Sequence, residues 1–215
     1  MYISARYSDN RDIKKGVIYM ELKDSTTKIN LMKAFAGESQ ARNRYTFAAG
    51  EAKKQKLHVI EAIFNYTAGQ EKEHAELFYD ALGELKGENI NIEGGYPVDK
   101  SSNILELLKS AVHNEEEEYS PVYPSFANIA KEEGFIKVAN LFDKIALIEK
   151  SHAERFLYFA NLLENNKLFC DDNEVEWLCL NCGHIHKGKE APKSCPVCDH
   201  NQGYFIRKEL SPYSN

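Results

Sequence analysis

The sequence predicts an all-α four-helix bundle followed by a small C-terminal domain that a metal stabilises. Helical spacing of apolar residues runs from about residue 27 to residue 166 with one long interruption. This region also repeats itself at an offset of 78 residues, which carries His74 onto His152 and Phe64 onto Phe142. Beyond residue 166 the chain becomes rich in Cys, Gly, Pro, His and Asn. A segment so poor in apolar residues needs a metal or another cross-link to fold.

Composition excludes several classes of protein. The chain has 215 residues, 43% of them hydrophobic and 28% charged, which is typical of globular domains and not of disorder. Its net charge of -6 argues against nucleic acid or an anionic membrane as a partner, and no apolar stretch is long enough to span a bilayer. The N-terminus lacks the apolar segment of a secretory signal, so we expect a cytoplasmic protein with reduced cysteines.

Three regions follow from these changes in pattern. Residues 1–24 have no sustained periodicity, and we interpret them as a flexible N-terminal extension, consistent with an upstream start codon because Met20 precedes the first helix. Residues 25–168 form the predicted helical domain, and residues 169–215 the metal domain and tail.

The four predicted helices cover roughly residues 28–54, 57–86, 103–132 and 135–166. Asn103 and Glu106 have the spacing of a capping box at the start of the third helix, and Glu133-Gly134 indicates a turn before the fourth. The interruption at 87–101 contains Gly94-Gly95 and Pro97. Short links within each pair of helices and one long central connection are typical of a ferritin-like bundle.

Charged side chains occupy the middle of the apolar helix stripes. In the fourth helix, steps of three and four run from Val138 to Leu163, with Glu149 and His152 at the centre. The other stripes carry charges at the same level. The full set is Glu38, Glu71, His74, Glu115, Glu118, Glu149 and His152.

Burying an unpaired carboxylate costs several kcal/mol or more, and these stripes carry no nearby Lys or Arg. Two metal ions are the economical explanation, since Glu and His three residues apart share one helix face. A single Glu-x-x-His usually lies on a solvated helix. Two Glu-x-x-His motifs that both face the predicted core instead favour a metal site of the kind found in di-iron and di-manganese carboxylate bundles.

The repeat and the stripe disagree at one position. The 78-residue offset carries Glu38 onto Glu116, whereas the stripe selects Glu115. A local irregularity such as a π-bulge would explain the slip, and Pro121 and Pro124 indicate that this helix is not ideal. We therefore select Glu115 and Glu118. Tyr45 and Tyr123, matched by the repeat, are core tyrosines for which the metal carboxylates would be hydrogen-bond partners.

The C-terminal segment contains two Cys-x-x-Cys pairs, Cys179 with Cys182 and Cys195 with Cys198. Two such pairs in a short polar segment predict a tetrahedral metal site, which suits either iron or zinc. Cys170 stands outside this pattern and is interpreted as an ordinary thiol.

These motifs together resemble the rubrerythrin family. The resemblance is carried by residues 37–45 (GESQARNRY), by both Glu-Lys-x-His-Ala segments, by Tyr123-Pro124 and by the rubredoxin-like end, and it covers nearly everything from Met20 to Phe205. It implies a di-iron site, one iron bound by four cysteines (with zinc as a mis-metallated form) and reduction of hydrogen peroxide in oxidative-stress defence. By resemblance, Glu38, Glu71, Glu115, Glu118, Glu149 and His152 are iron ligands. His74 would replace Glu118 on reduction.

The resemblance also implies electron transfer from outside the chain. No Gly-x-Gly-x-x-Gly motif for a nicotinamide cofactor is present, so an external NAD(P)H-dependent reductase or rubredoxin is the expected donor, and a homodimer the expected assembly. The alternatives are an iron-storage or ferroxidase protein, which gains nothing from an electron-input domain, and a peroxide or oxygen sensor. One departure from the family is Asp199, where a glycine usually follows the last cysteine.

Overall fold

The computed structural model describes residues 20–211. Within them five α-helices form a four-helix bundle, in which two consecutive helices together make the third rod of the bundle. The helices are α1 (Thr26–Lys54), α2 (His58–Ala81), α3 (Ile104–Glu117), α4 (Tyr123–Glu132) and α5 (Ile136–Glu164). α1 packs mainly on α2, while α3 and α4 together form the third rod and pack on α5. The predicted four-helix bundle is therefore confirmed. No helix in residues 20–211 combines the length and apolar character needed to cross a bilayer.

The third rod is interrupted where its prolines lie. Residues Glu118–Val122 form a π-helical turn, in which Ser120 leaves helical geometry (φ -161°, ψ 91°). Pro121 has no N–H to donate and its ring crowds the preceding turn, which prevents a regular helix here. The predicted helix over 103–132 is thus two helices in line. This π-helical turn lies between Glu115 and Tyr123. One extra residue there explains why the 78-residue offset matches Tyr45 with Tyr123 but carries Glu38 onto Glu116 and not onto Glu115.

The start of the third rod is capped, although not by the predicted reciprocal pair. Asn103 Oδ1 accepts hydrogen bonds from the backbone N–H groups of Leu105 (2.9 Å) and Glu106 (3.3 Å). The Glu106 carboxylate instead accepts from the Ser101 hydroxyl at 2.6 Å, and this hydroxyl also accepts from the Asn103 N–H at 3.0 Å. Ser101 therefore replaces one arm of the predicted capping box.

Two apolar clusters fill the bundle, one on each side of the charged level. In the first, the Phe64 and Phe156 ring centroids lie 5.2 Å apart, and in the second the repeat-related Phe142 and Phe78 lie 5.0 Å apart. The two halves of the repeat therefore pack face to face with approximate two-fold symmetry. Most of the predicted N-terminal extension lies outside the described residues; of its last residues, Leu22 is buried in the second cluster.

The C-terminal domain is a three-stranded antiparallel sheet in the order β2-β1-β3. Its strands are β1 (Cys170–Cys179), β2 (Ile185–Glu190) and β3 (Phe205–Arg207). The domain contacts the turn between α1 and α2. A Cβ on Gly203 would overlap the carbonyl oxygen of Lys56, and the Tyr204 ring stacks on His58 at 3.9 Å between centroids. Ile206 extends the first apolar cluster.

Candidate metal centres

The bundle brings its buried carboxylates and imidazoles into two groups. The ligand atoms of Glu38, Glu71, His74 and Glu149 all lie within 4.8 Å of one another. Those of Glu71, Glu115, Glu149 and His152 do the same, so the groups share two carboxylates. Each of the six residues is at most 5% exposed. This arrangement has the form of two neighbouring metal positions with two bridging carboxylates.

The shared carboxylates have the orientation that bridging requires. Glu149 places Oε1 at 2.9 Å from His74 Nδ1 and Oε2 at 2.7 Å from His152 Nδ1. Glu71 does the same in the opposite sense, with Oε2 at 3.1 Å from His74 Nδ1 and Oε1 at 3.0 Å from His152 Nδ1. Each carboxylate thus turns one oxygen toward each imidazole.

Buried atoms without hydrogen bonds show that the pocket fits cations. Within residues 20–211, the orphaned atoms here are Glu38 Oε2, Glu71 Oε1, Glu115 Oε2, both oxygens of Glu149 and His152 Nδ1. Buried polar atoms are rarely left unsatisfied, and here they are mostly negative oxygens that face one another. Oxygen and imidazole nitrogen are donors that iron accepts. The donor set therefore fits two divalent ions.

Without metal, the same residues must hold protons. Burial, reinforced by the negative charge of Glu71, raises the pKa of Glu115 to about 8. Burial opposes the shift at Glu71, but the nearby imidazoles of His152 and His74, with Nδ1 atoms 3.0 and 3.1 Å from its oxygens, lower its pKa to about 2. Burial opposes the shift at His152, but the carboxylates of Glu115, Glu149 and Glu71 around its Nδ1 raise its pKa to about 12. Metal binding must displace these protons, so metal affinity will increase with pH.

Glu118 lies apart from both groups. It begins the π-helical turn, is partly buried, and belongs to neither set of converging atoms. Its Oε1 lies 3.8 Å from the position that a Cβ on Gly37 would take. Burial, followed by the charge of Glu38, raises its pKa well above the usual range. In this structure His74, and not Glu118, completes the first group.

The two repeat-matched tyrosines contact carboxylates of the ligand groups. Tyr45 donates a hydrogen bond to Glu115 Oε1, and Tyr123 donates one to Glu38 Oε1. In both cases the other oxygen of the carboxylate is left for the ligand group. Burial raises the pKa of both phenols well above their usual range, so each remains a donor at neutral pH.

A cavity of about 330 Å³ lies beside Tyr123, the residue that donates to Glu38 of the first group. Its lining also includes Glu118, Gly37 and Tyr96. Arg44 holds the loop that covers it, through an ion pair with Asp99 at 2.8 Å.

The four cysteines predicted as ligands converge in the C-terminal domain, with all Sγ atoms within 4.8 Å of one another. The Sγ atoms of Cys179 and Cys198 lie 3.8 Å apart, and those of Cys182 and Cys195 lie 3.7 Å apart. Metal–sulfur bonds of about 2.3 Å in a tetrahedron place sulfurs roughly 3.8 Å apart. The cluster therefore fits a tetrahedral thiolate-bound metal.

Two equivalent turns hold these cysteines. The Gly183 N–H donates to Cys179 O at 2.8 Å, and the Asp199 N–H donates to Cys195 O at 2.9 Å. Both turns need a left-handed residue, and Asp199 adopts φ 58° where Gly183 has φ 76°. Aspartate tolerates this conformation better than most residues, so the second turn forms without a glycine.

Sequence reasoning missed the side chain that contacts His152 from outside the ligand group. Gln70 Oε1 lies 3.1 Å from His152 Nε2 and also accepts a hydrogen bond from Arg155. A signal was present in the repeat, because the offset of 78 residues carries Gln70 onto the apolar Ile148. Gln70 is polar and its repeat-related residue Ile148 is apolar, which indicates that Gln70 has a specific role beside His152.

Comparison with known proteins identifies the same two regions. A family model described as "Rubrerythrin" matches residues 30–160, and one described as "Rubrerythrin, rubredoxin-like domain" matches residues 177–206. The chain is 48% identical to a rubrerythrin of Clostridium perfringens, over 86% of this chain and 95% of that one. It is 42% identical to a rubrerythrin of Porphyromonas gingivalis, over 89% and 94% respectively. The solved structure of fully reduced, all-ferrous nigerythrin is 31% identical, with a TM-score of 0.58 over 96% of this chain and 100% of that one.

Proposed function

Because the chain belongs to the rubrerythrin family, we propose that it is a non-haem di-iron peroxidase that reduces hydrogen peroxide to water. The family's cofactors are a di-iron carboxylate site and an iron bound by four cysteines. The observation that carries the proposal is that this one chain holds both donor sets, the two linked ligand groups of the bundle and the tetrahedral cysteine cluster.

Reduction of one hydrogen peroxide takes up two electrons and two protons and releases two waters. Two irons held by the two ligand groups of the bundle would supply these two electrons, and an iron held by Cys179, Cys182, Cys195 and Cys198 would supply electrons to replace them. The protein holds this site in place through Glu71 and Glu149, which reach both positions. Tyr45 and Tyr123 fix the outer carboxylates, since each phenol donates to one oxygen and leaves the other free.

The cavity beside Gly37 is the proposed path of hydrogen peroxide. Glu118 and Tyr123 line this cavity, and Tyr123 donates a hydrogen bond to Glu38 of the first group. We further propose that Glu118 and His74 alternate as ligands of one iron. A fifth carboxylate suits the more positive oxidised pair, whereas a neutral imidazole suits the reduced pair.

Electrons must come from another protein. An NAD(P)H-dependent reductase or a rubredoxin is the proposed donor to the cysteine cluster, since the sequence contains no dinucleotide-binding motif. Val197, between Cys195 and Cys198, is 65% exposed, which leaves this side of the cluster open to such a partner. We also propose a cytoplasmic homodimer that serves in defence against oxidative stress.

Iron storage is the rival function, because a ferroxidase shares the bundle. It has no need of a domain that delivers electrons, and the cysteine cluster therefore favours the peroxidase. The two are separated by steady-state peroxide consumption with an artificial reductase and NAD(P)H. We expect Cys195→Ser to abolish steady-state turnover, whereas the reduced bundle site should still be oxidised once by added peroxide.

Cys170→Ser is the matched control, because Cys170 lies outside the cluster and its thiol donates a hydrogen bond to the Asn166 carbonyl oxygen at 3.0 Å. This variant should retain full turnover. Steady-state turnover that survives Cys195→Ser would refute the electron route. A wild-type protein that takes up and mineralises iron without consuming peroxide catalytically would establish the storage function instead.

A further inference from the structure

The two histidines of the ligand groups are related by the repeat but are held differently. Their rings lie nearly parallel, 5.6 Å apart between centroids. His152 Nε2 lies 3.1 Å from Gln70 Oε1. For His74, the hydrogen bond recorded within residues 20–211 involves Nδ1 and Glu71, and no side chain of that range hydrogen-bonds to its Nε2. Only one imidazole is therefore fixed from the side opposite the metals.

The identity of the atoms in this contact follows from Arg155. Its Nη1 lies 3.2 Å from Gln70 Oε1. A guanidinium only donates hydrogen bonds, so the amide atom that faces it must be the oxygen, whichever way the amide is drawn. The same oxygen faces His152 Nε2, which must then carry a hydrogen. In the neutral ring the lone pair is then on Nδ1, which lies inside the ligand group, 2.7 Å from Glu149 Oε2.

Arg155 is itself held in position. Nη1 also donates to the hydroxyl of Thr67 at 3.0 Å, and Thr67 is fully buried. The guanidinium carbon lies 5.1 Å from the centroid of the Tyr66 ring, within the range of a cation–π contact. The donor that orients Gln70 is thus fixed by neighbours on α2.

The related half of the bundle has no such network. The offset of 78 residues carries Thr67 onto Ile145, Gln70 onto Ile148, and Leu77 onto Arg155. All three polar members of the network have an apolar residue at the related position. The repeat preserves the ligands themselves, Glu71 with Glu149 and His74 with His152, and departs from symmetry in what surrounds them.

We propose that Gln70 and Arg155 are positioning residues that fix His152 as the Nε2–H tautomer with Nδ1 directed into the metal site. This inference rests on the proposed di-iron function and assigns to His152 an outer hydrogen-bond partner that His74 lacks. Partners of this kind fix ring orientation and raise the basicity of the ligating nitrogen.

The test uses the full chain loaded with zinc, which is diamagnetic. In ¹⁵N-edited spectra, wild-type His152 should show metal-bound Nδ1 and an Nε2–H that exchanges slowly with water. Gln70→Leu should accelerate this exchange and weaken zinc binding to the bundle about 10- to 100-fold in chelator competition. Gln70→Glu, which keeps an acceptor between the same two donors, should restore the slow exchange.

Ile148→Gln places an amide at the related position in the other half and is the matched control. Ile148 is 36% exposed, so the polar side chain can be accommodated, and the His152 signal should be unchanged. Slow Nε2–H exchange and unaltered affinity in Gln70→Leu would overturn the proposal, as would metal bound through Nε2. Peroxidase activity does not enter the test. A protected Nε2–H lost in Gln70→Leu supports the inference even in a protein without that activity.

Discussion

Glu71 and Glu149 each direct one carboxylate oxygen toward His74 and the other toward His152, at distances of 2.7 to 3.1 Å. They lie on α2 and α5, at positions related by the internal repeat. A carboxylate shared in this way links two cations, whereas Glu38 and Glu115 each belong to only one group. The two metal positions are therefore not independent.

Removal of a shared ligand should affect both positions. We expect Glu149→Ala to lose most of both bundle metals, and Glu115→Ala to retain about one, because Glu115 contributes to a single group. Metal content after loading and desalting measures the difference, with the cysteine-bound metal subtracted. Glu116→Gln is the control, since Glu116 is exposed, and it should bind the full complement. Equal losses in Glu149→Ala and Glu115→Ala would contradict the shared role.

The alternation of Glu118 and His74 predicts a redox-dependent ligand set. We expect crystals of the oxidised protein to show Glu118 bonded to iron and His74 withdrawn, and dithionite-reduced crystals to show the reverse. The physical reason is charge, because the oxidised pair carries two more positive charges than the reduced pair. Glu118→Gln should bind ferrous iron with little change and destabilise the oxidised state. Identical ligands in both redox states would refute the exchange.

Stability of the metal-free protein should depend on pH through Glu115. Its pKa is about 8 in the folded protein and near 4.5 without the burial and the Glu71 charge. Between these values the folded state binds a proton that the unfolded chain has released, so stability falls as pH rises from 4.5 to 8. His152 acts in the same direction above pH 6.5.

We therefore expect the chelator-treated protein to melt at a lower temperature at pH 8 than at pH 5.5. Zinc should remove most of this difference, since the metal replaces the protons. Glu115→Gln, which cannot ionise, should flatten the slope in the metal-free protein. A melting temperature that rises between pH 5.5 and pH 8 without metal would show that the carboxylate is not buried as described.

Contact between the two domains should depend on Gly203. A Cβ there would overlap the Lys56 carbonyl oxygen, so Gly203→Ala must shift the C-terminal domain or the turn, at a cost of about 1–3 kcal/mol. Trp177, the only tryptophan, is buried in this domain, and its fluorescence reports unfolding there.

Gly69→Ala is the control. Gly69 is exposed on α2, and apart from its own helical turn no atom lies within 4 Å of its Cβ position, so alanine should stabilise the helix slightly. Equal stability of the two variants would refute the close contact.

The sequence by itself determined the bundle and the kinds of ligand in it, for reasons of periodicity. Apolar residues at helical spacing have to face inward, and a Glu or His in phase with them is placed in the core whatever the exact packing. The slip between the repeat and the stripe also predicted an irregularity in this helix, and the structure places it at Glu118–Val122. Cysteine spacing determined the second metal site in the same local way.

Only the tertiary structure decided which ligands meet. Periodicity along one helix determines which of its faces is buried. It does not determine how far the helix is shifted along its axis relative to its neighbour, so the sequence could not separate the shared Glu71 and Glu149 from the unshared Glu38 and Glu115. The same holds for the contact of Gln70 with His152, which joins α2 to α5, and for the packing of Gly203 on Lys56. Each of these depends on the distance between segments far apart in the chain, and that distance is set by how side chains pack between helices.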